Sequence, residues 1–495
     1  MINLLRSNWW RLDLEIILRW VFLAVLCIGL AGIATVYIYS VSKDVTITIR
    51  EILPLFVLAI APLAIFLLHI PMKYVFLAAV VFDIPFAYDI YFGWNPDFGS
   101  QGTIAGFNIS ITTIAIAGLY AIWFTEALLK PKNKSIARFH LPAAGIPLLI
   151  YVSIATLSIV NASEAWFTVY EVNLLLQMFL LFIYIATNIR TREDVIALLT
   201  IMLIIFSIEG LYLFWQRFGP TRQFYFLYND PTSVYTYRVT GHFGSPNVAG
   251  AYFSFGTVIS LVVILMPLKL KYKLLGAFSF AISAFALFLT LSRGGWLAAA
   301  IGIVVILIFL IKRGWLSIQI PALIAVAILV ISLLFPDLIL KRIFGSDGGA
   351  AEGRNPLNEI AVDIASDHLF LGIGANNFAY VMPEYIRAEF SQTWLYTVHN
   401  KYLLVWSETG TFGLMAFVAF LIVSVVQGWR VWLVSHRFYS TLGIALLGAI
   451  CGHAFHLSVD IFNDRPMVQM LWLVSGLIMA LFAMTREKSK LDTSS

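Results

Sequence analysis

The chain has 495 residues, of which 60% are hydrophobic and 12% charged, with a formal net charge of +5 and a mean hydropathy of +0.88. That balance fits a lipid solvent. The excess lysines and arginines then set membrane topology and do not read as a nucleic-acid surface. Only two cysteines occur, Cys27 and Cys451, each inside an apolar segment, which excludes a disulfide framework and a cysteine-based metal site.

Apolar runs near the length a bilayer requires predict an all-α, polytopic transmembrane helix bundle. The expected spans fall at about 15–40, 51–69, 72–91, 106–129, 141–160, 170–188 and 194–216, then at 247–267, 273–291, 294–312, 317–335, 402–424, 438–459 and 466–484. Fourteen spans would leave both termini on one side. The first run is too long for a signal peptide and reads as an uncleaved helix. With the N-terminus inside, short inner loops collect basic clusters such as Lys130, Lys132, Lys134 and Arg138, or Lys269, Lys271 and Lys273, as the positive-inside rule requires. The organisation is then an N-terminal helical part at 1–216, a central part at 217–335 with an outer loop at 217–246, a large outer loop at 336–401, and a C-terminal helical part at 402–495. No internal repeat of fixed period is visible.

The two long outer segments hold most of the candidate chemistry. Arg238 precedes Gly241-His-Phe-Gly-Ser-Pro-Asn247, whose glycines, proline and asparagine also suit an ordinary turn. Leu291-Ser-Arg-Gly-Gly-Trp296 is a tight turn between two spans. Arg293 there either snorkels or offers a planar fork to phosphate, with Gly294 and Gly295 admitting a ligand close to the backbone. In the large loop, Leu357, Ile360, Ala361 and Ile364 define one apolar helical face over 354–366, destined for the membrane surface or for the bundle. Arg354 opens that helix and either pairs with Glu352 or Glu359 or turns toward Arg293, where two arginines suit a pyrophosphate. Gly372-Ile-Gly374-Ala-Asn-Asn377 reads as a turn, and 383–394 as a second short helix.

His399, beside Asn400 at the head of a span, is the residue best suited to accept a proton from a hydroxyl near neutral pH; the plainer reading is a polar residue at the membrane interface. His453 and His456 share a helical face with Asp460, near Asp464 and Arg465, as a hydrogen-bond network or, less simply, a metal site. Asp83, Glu126, Glu171 and Glu209 lie in or near spans without a common spacing.

These stretches resemble the O-antigen ligase and polymerase superfamily of bacterial membrane glycosyltransferases. The resemblance rests on 240–248, 290–295, Arg354, 367–378, and Val398-His-Asn-Lys-Tyr-Leu-Leu404 with Glu408-Thr-Gly410, in that order around one large outer loop. It implies a bundle of the GT-C type and a metal-independent, cofactor-free enzyme. Such enzymes move a glycan from undecaprenyl diphosphate to a glycan, lipid or protein hydroxyl outside the plasma membrane. By position, His399 is expected as general base, and Arg293 and Arg354 as diphosphate ligands. Asn400, Arg238, Asn247, His456 and Asp460 are expected as supporting residues. The rival expectation is a transporter or flippase of a solute or lipid-linked sugar, which would place paired polar groups near the bilayer midplane.

Overall fold

The computed structural model describes residues 70–129, 141–219, 238–319, 354–387 and 396–494, with isolated helical positions at 24, 31 and within 321–340. Residues 77–495 make one compact unit and 1–76 another. The expected spans at 15–40 and 51–69, and that at 317–335 beyond residue 319, lie outside the described residues, apart from those isolated positions. Helices account for most of the rest. They are α1 (Met72–Phe86), α2 (Ile111–Leu129), α3 (Gly145–Leu157), α4 (Ala165–Asn188), α5 (Arg192–Phe218), α6 (Pro246–Leu265), α7 (Leu270–Thr290), α8 (Arg293–Lys312), α9 (Arg354–Asp367), α10 (Lys401–Leu433), α11 (Arg437–His456) and α12 (Arg465–Ser494). Nine helices among the described residues are long and apolar enough to cross a membrane. The protein is a polytopic helix bundle.

Local chemistry fixes several helix starts. Thr191 and Asp194 form a reciprocal capping box on α5, the Thr191 hydroxyl accepting from the Asp194 amide at 3.0 Å and the Asp194 carboxylate from the Thr191 amide at 3.1 Å. Pro246 occupies the first turn of α6, where no amide is needed. The core helices α6, α11 and α12 are buried nearly all round, which is why their sequences are apolar on every face. Small residues bring backbones together: a Cβ added at Gly452 would stand 2.1 Å from the Ala298 carbonyl, so α11 and α8 touch main chain to main chain.

Two expected spans are shorter than predicted. Helix α1 ends at Phe86, just past Pro85, and the chain turns through Ala87 at φ 45° into strand β1 (Asp89–Phe92). That strand pairs antiparallel with β2 (Phe107–Ser110), Asp89 opposite Ser110 and Phe92 opposite Phe107. The hairpin is rich in Ile, Tyr, Phe and Trp, so a hydropathy count reads it as membrane span, whereas its aromatic and β-branched residues with a Gly-Trp-Asn-Pro turn favour strands. Arg465 anchors it, bonding Asp89 at 2.8 Å and Asp83 at 3.1 Å.

The large loop carries the expected amphipathic helix, and it lies on the bundle. In α9 the side chains of Leu357, Ile360, Ala361 and Ile364 are at most 2% exposed and pack with Ile373, Phe378, Val398, Leu404 and Ile461. Of the expected second short helix at 383–394, residues 383–385 lie in a 3-10 turn, Met382–Tyr385, and Ile386 after it is extended. Residues 388–395 lie outside the described residues. Burying each large apolar side chain of α9 contributes about 1.5–3 kcal/mol, enough to hold a 14-residue helix down. Ile364→Ala is therefore expected to cost about 2–5 kcal/mol and to raise amide exchange across 354–367. Val362→Ala, at a position 39% exposed, should stay within about 0.5 kcal/mol of wild type.

Candidate active site

Helix α10 is broken near its start. Gly410 adopts φ 68°, ψ −174°, outside the helical region and in a range open to glycine. The break frees carbonyls, and the turn after α9 takes them. The Ile373 amide donates to Ser407 O at 3.0 Å, Gly374 to Glu408 O at 3.0 Å, and in return the Thr411 amide donates to Leu369 O at 2.7 Å. Contact is so close that a Cβ at Gly372 would stand 2.3 Å from the Glu408 carbonyl carbon, and one at Gly410 2.2 Å from Phe370 O.

Side chains extend this junction outward. Asn376 accepts from the Ile104 amide at 2.9 Å and donates to the carbonyls of Ile104 and Phe167 at 2.7 and 3.0 Å. Asn377 accepts from the Glu164 amide at 2.8 Å and donates to the Thr168 hydroxyl at 3.1 Å. Glu408 accepts from the Phe378 amide at 3.1 Å. The predicted turn at 372–377 is thus the hub between the large loop, the 103–110 segment and α4.

The residues on either side of His399 place it. Asn400 caps α10, its side-chain oxygen accepting from the amides of Tyr402 and Leu403 at 3.0 and 3.2 Å. The Lys401 amide donates to Leu457 O and Asp460 O at 2.9 and 3.2 Å, and its ammonium to the Asn463 side chain. Upstream, the Thr397 amide and hydroxyl both bond Gln101 O, at 3.0 and 2.7 Å. His399 is therefore fixed on both sides, with the Tyr396 ring 5.2 Å away. Burial pushes its imidazole below the ordinary value of 6.5, and Arg354 pushes the same way; Asp460 and a backbone hydrogen bond at Thr397 pull against them.

Arg354 and Asp460 also act electrostatically on His456, at the end of α11. His456 in turn meets the start of α8: a Cβ at Gly294 would stand 2.5 Å from its Nε2 atom. Arg293, the first residue of α8, is exposed beside that contact. His399, Arg354, Asp460 and His456 thus share one electrostatic neighbourhood, and the Arg293 turn abuts it. Arg238 and Asn247 stand one step back. The Arg238 guanidinium donates from Nε to Thr290 O at 2.9 Å and from Nη2 to Asn247 Oδ1 at 2.6 Å, bracing the turn in which Leu291 adopts φ 52°. His453, grouped in the sequence with His456, lines an interior cavity with Tyr151, Lys401, Phe462 and Trp472. Among the described residues no group of three or more His, Cys, Asp or Glu side chains is placed to hold a metal ion.

Residues 278–418 match the family model described as O-antigen ligase. That match supports a likeness of this segment to the O-antigen ligase and polymerase superfamily. The matched segment takes in the second half of α7, all of α8 and α9, and the broken start of α10, so it contains Arg293, Arg354 and His399. Asp460 and His456 lie beyond it and reach the same neighbourhood through α11. No curated protein matches the chain.

Sequence reasoning gave Asn376, Asn377 and Lys401 no role, because their partners are remote in sequence. It also singled out neither Glu209 nor His242 as a partner of the other, although they bond directly, Oε2 to Nδ1 at 2.7 Å. The break in α10 is open to a direct check. Gly410→Ala meets both a backbone conformation open essentially to glycine alone, about 1–3 kcal/mol, and a main-chain collision, and is expected to lower the detergent-solubilised melting temperature sharply. Gly244→Ala has φ 68° and ψ −14°, the left-handed helical region, with nothing within 4 Å, so it should show only the smaller penalty of about 1–2 kcal/mol.

Proposed function

We propose that the protein is an inverting glycosyltransferase that moves a glycan from undecaprenyl diphosphate to an acceptor hydroxyl outside the plasma membrane, in the polymerisation or ligation of a surface polysaccharide. The observation that carries this reading is the convergence of His399, Arg354, Asp460 and His456, with the Arg293 turn beside them, around a domain of the O-antigen ligase family. In the proposed reaction a neutral His399 accepts the proton of the acceptor hydroxyl as its oxygen attacks the anomeric carbon. The bond from that carbon to the diphosphate oxygen breaks on the opposite face, which inverts the configuration, and the electron pair leaves with the diphosphate. Arg293 and Arg354 meet the growing negative charge, stabilisation of the kind given by preorganised donors. Asp460 balances the imidazolium as it forms. No step requires a metal or a cofactor.

The distribution of basic residues supports the sidedness. Arg190, Arg192, Lys269, Lys271, Lys273, Lys312, Arg313, Arg430 and Arg437 lie at the helix ends remote from His399, where the positive-inside rule puts the cytoplasm. One observation favours the rival carrier or flippase: Glu171 and Glu408 are buried within spans, 3% and 6% exposed, where ionisable groups often mark transport paths. The two readings part in one assay with purified protein and lipid-linked donor.

Wild type is expected to transfer glycan, and His399→Ala to lose about 100- to 10,000-fold in kcat with unchanged expression; absence of transfer by wild type would favour the carrier. The rate should also follow the unprotonated imidazole. Because burial and Arg354 lower the His399 pKa of the free protein, the acid limb of kcat/KM should have its midpoint below about 6.5, with a plateau at neutral pH. Asp460→Asn removes an influence that raises that pKa, so the limb should move to still lower pH. A shift to higher pH would contradict the assignment of His399 as base.

A further inference from the structure

Glu209 and His242 form a second polar pair, and the mechanism above does not use it. Glu209 is fully buried in α5, about 13 Å below the helix end at Phe218 by helical rise. The loop before α6 dips to meet it. One carboxylate oxygen accepts from the His242 amide at 2.9 Å and the other lies 2.7 Å from His242 Nδ1. The dip depends on Gly241, at φ +59°, where a Cβ would stand 2.1 Å from the Glu209 carboxylate. Gln216 holds the approach, its side-chain oxygen accepting from the amides of Thr240 and Gly241 at 3.1 and 3.0 Å. Irregular backbone at such depth is tolerated in membrane proteins where it is buried in protein or lines a cavity, and a buried carboxylate there marks a functional position by default.

The imidazole is constrained on three sides. Tyr212 stacks on it with ring centroids 4.0 Å apart, Phe86 lies at 4.6 Å, and Nδ1 faces the carboxylate. Yet the side chain stays 20% exposed, so the open edge is the one bearing Nε2. A carboxylate on Nδ1 selects the tautomer in which Nε2 carries the lone pair. That edge is an oriented acceptor for a hydroxyl hydrogen. The carboxylate beside it makes the pair a poor ligand for phosphate, and aromatic flanks suit the apolar faces of a sugar ring.

We propose that His242, held by Glu209, is a contact for a hydroxyl of the glycan. It rests on the glycosyltransferase reading for its ligand class and adds a subsite on the α5 side of the bundle. The test uses the full chain in detergent and two probes: lipid-linked oligosaccharide extracted from the cells that make the protein, and the lipid-free oligosaccharide released from it by mild acid. Diethyl pyrocarbonate should modify His242, and lipid-free oligosaccharide at ten times its Kd should slow that modification about tenfold by simple occupancy. In turnover, His242→Phe keeps the ring stack and removes Nε2; it should raise KM for the lipid-linked donor about tenfold, the equivalent of one hydrogen bond, while kcat changes less than about twofold. Unslowed modification of wild type, or a folded His242→Phe protein with wild-type KM, would overturn the proposal and leave transfer itself standing. Protection without transfer would keep the glycan contact and remove the transferase.

Discussion

The site depends on the backbone bonds between the turn after α9 and the break in α10. A helix interrupted where its backbone is buried, as at Glu408, Thr409 and Gly410, leaves amides and carbonyls that must find partners within the protein, and each one left without costs about 1–3 kcal/mol. The 369–374 turn supplies those partners through Ile373, Gly374 and Leu369. Because the cost of separating them is high, the large loop cannot drift away from α10, and α9 with Arg354 stays near His399. The two glycines at the contact, Gly372 and Gly410, are the condition for it, since either Cβ would overlap main chain.

The electrostatics around His399 are a balance among unlike influences. Burial and Arg354 favour the neutral ring, Asp460 favours the charged one. In the proposed reaction the base must be empty at the start of turnover and charged in the middle, and this combination suits it, with a carboxylate close enough to stabilise the product of proton transfer but outweighed beforehand. The same Arg354 and Asp460 act on His456, which links α9 to α11 and, through Gly294, to Arg293. Four elements distant in sequence thus answer to one small set of charges. The buried Arg465 cluster works differently: with Asp83, Asp89, Thr112 and Gln469 all in reach, its bonds are saturated internally, and it holds the hairpin and α12 together. A pair of this kind is costly to break from one side, whatever its net worth.

Much of the architecture was legible because the signals are local. Apolar runs located most of the described spans to within a few residues, and the 3.6-residue period of Leu357, Ile360, Ala361 and Ile364 gave the apolar face of α9 that the structure lays on the bundle. The hairpin at 89–110 was misread because hydropathy sums do not distinguish an apolar strand pair from an apolar helix. Arg238 and Asn247 were picked out by motif, but their function as a brace on the Thr290 carbonyl depends on a contact 52 residues away. The break at Gly410 and its docking to 369–374 leave no periodic trace at all. Asn376 and Ile104 are 272 residues apart, and pairings at such separation are set by the assembled bundle.

Arg313, at the opposite end of the molecule, illustrates a wider point. Its guanidinium donates to Val434 O at 2.9 Å, to Trp432 O at 2.8 Å and to the Ser440 hydroxyl at 3.2 Å, closing the corner between α10 and α11. An arginine that topology rules would count as one unit of charge is also a rivet of the scaffold. Exchanging it for lysine would preserve the insertion signal and lose the fork, so orientation in the bilayer and rigidity of the corner are separable properties of a single residue.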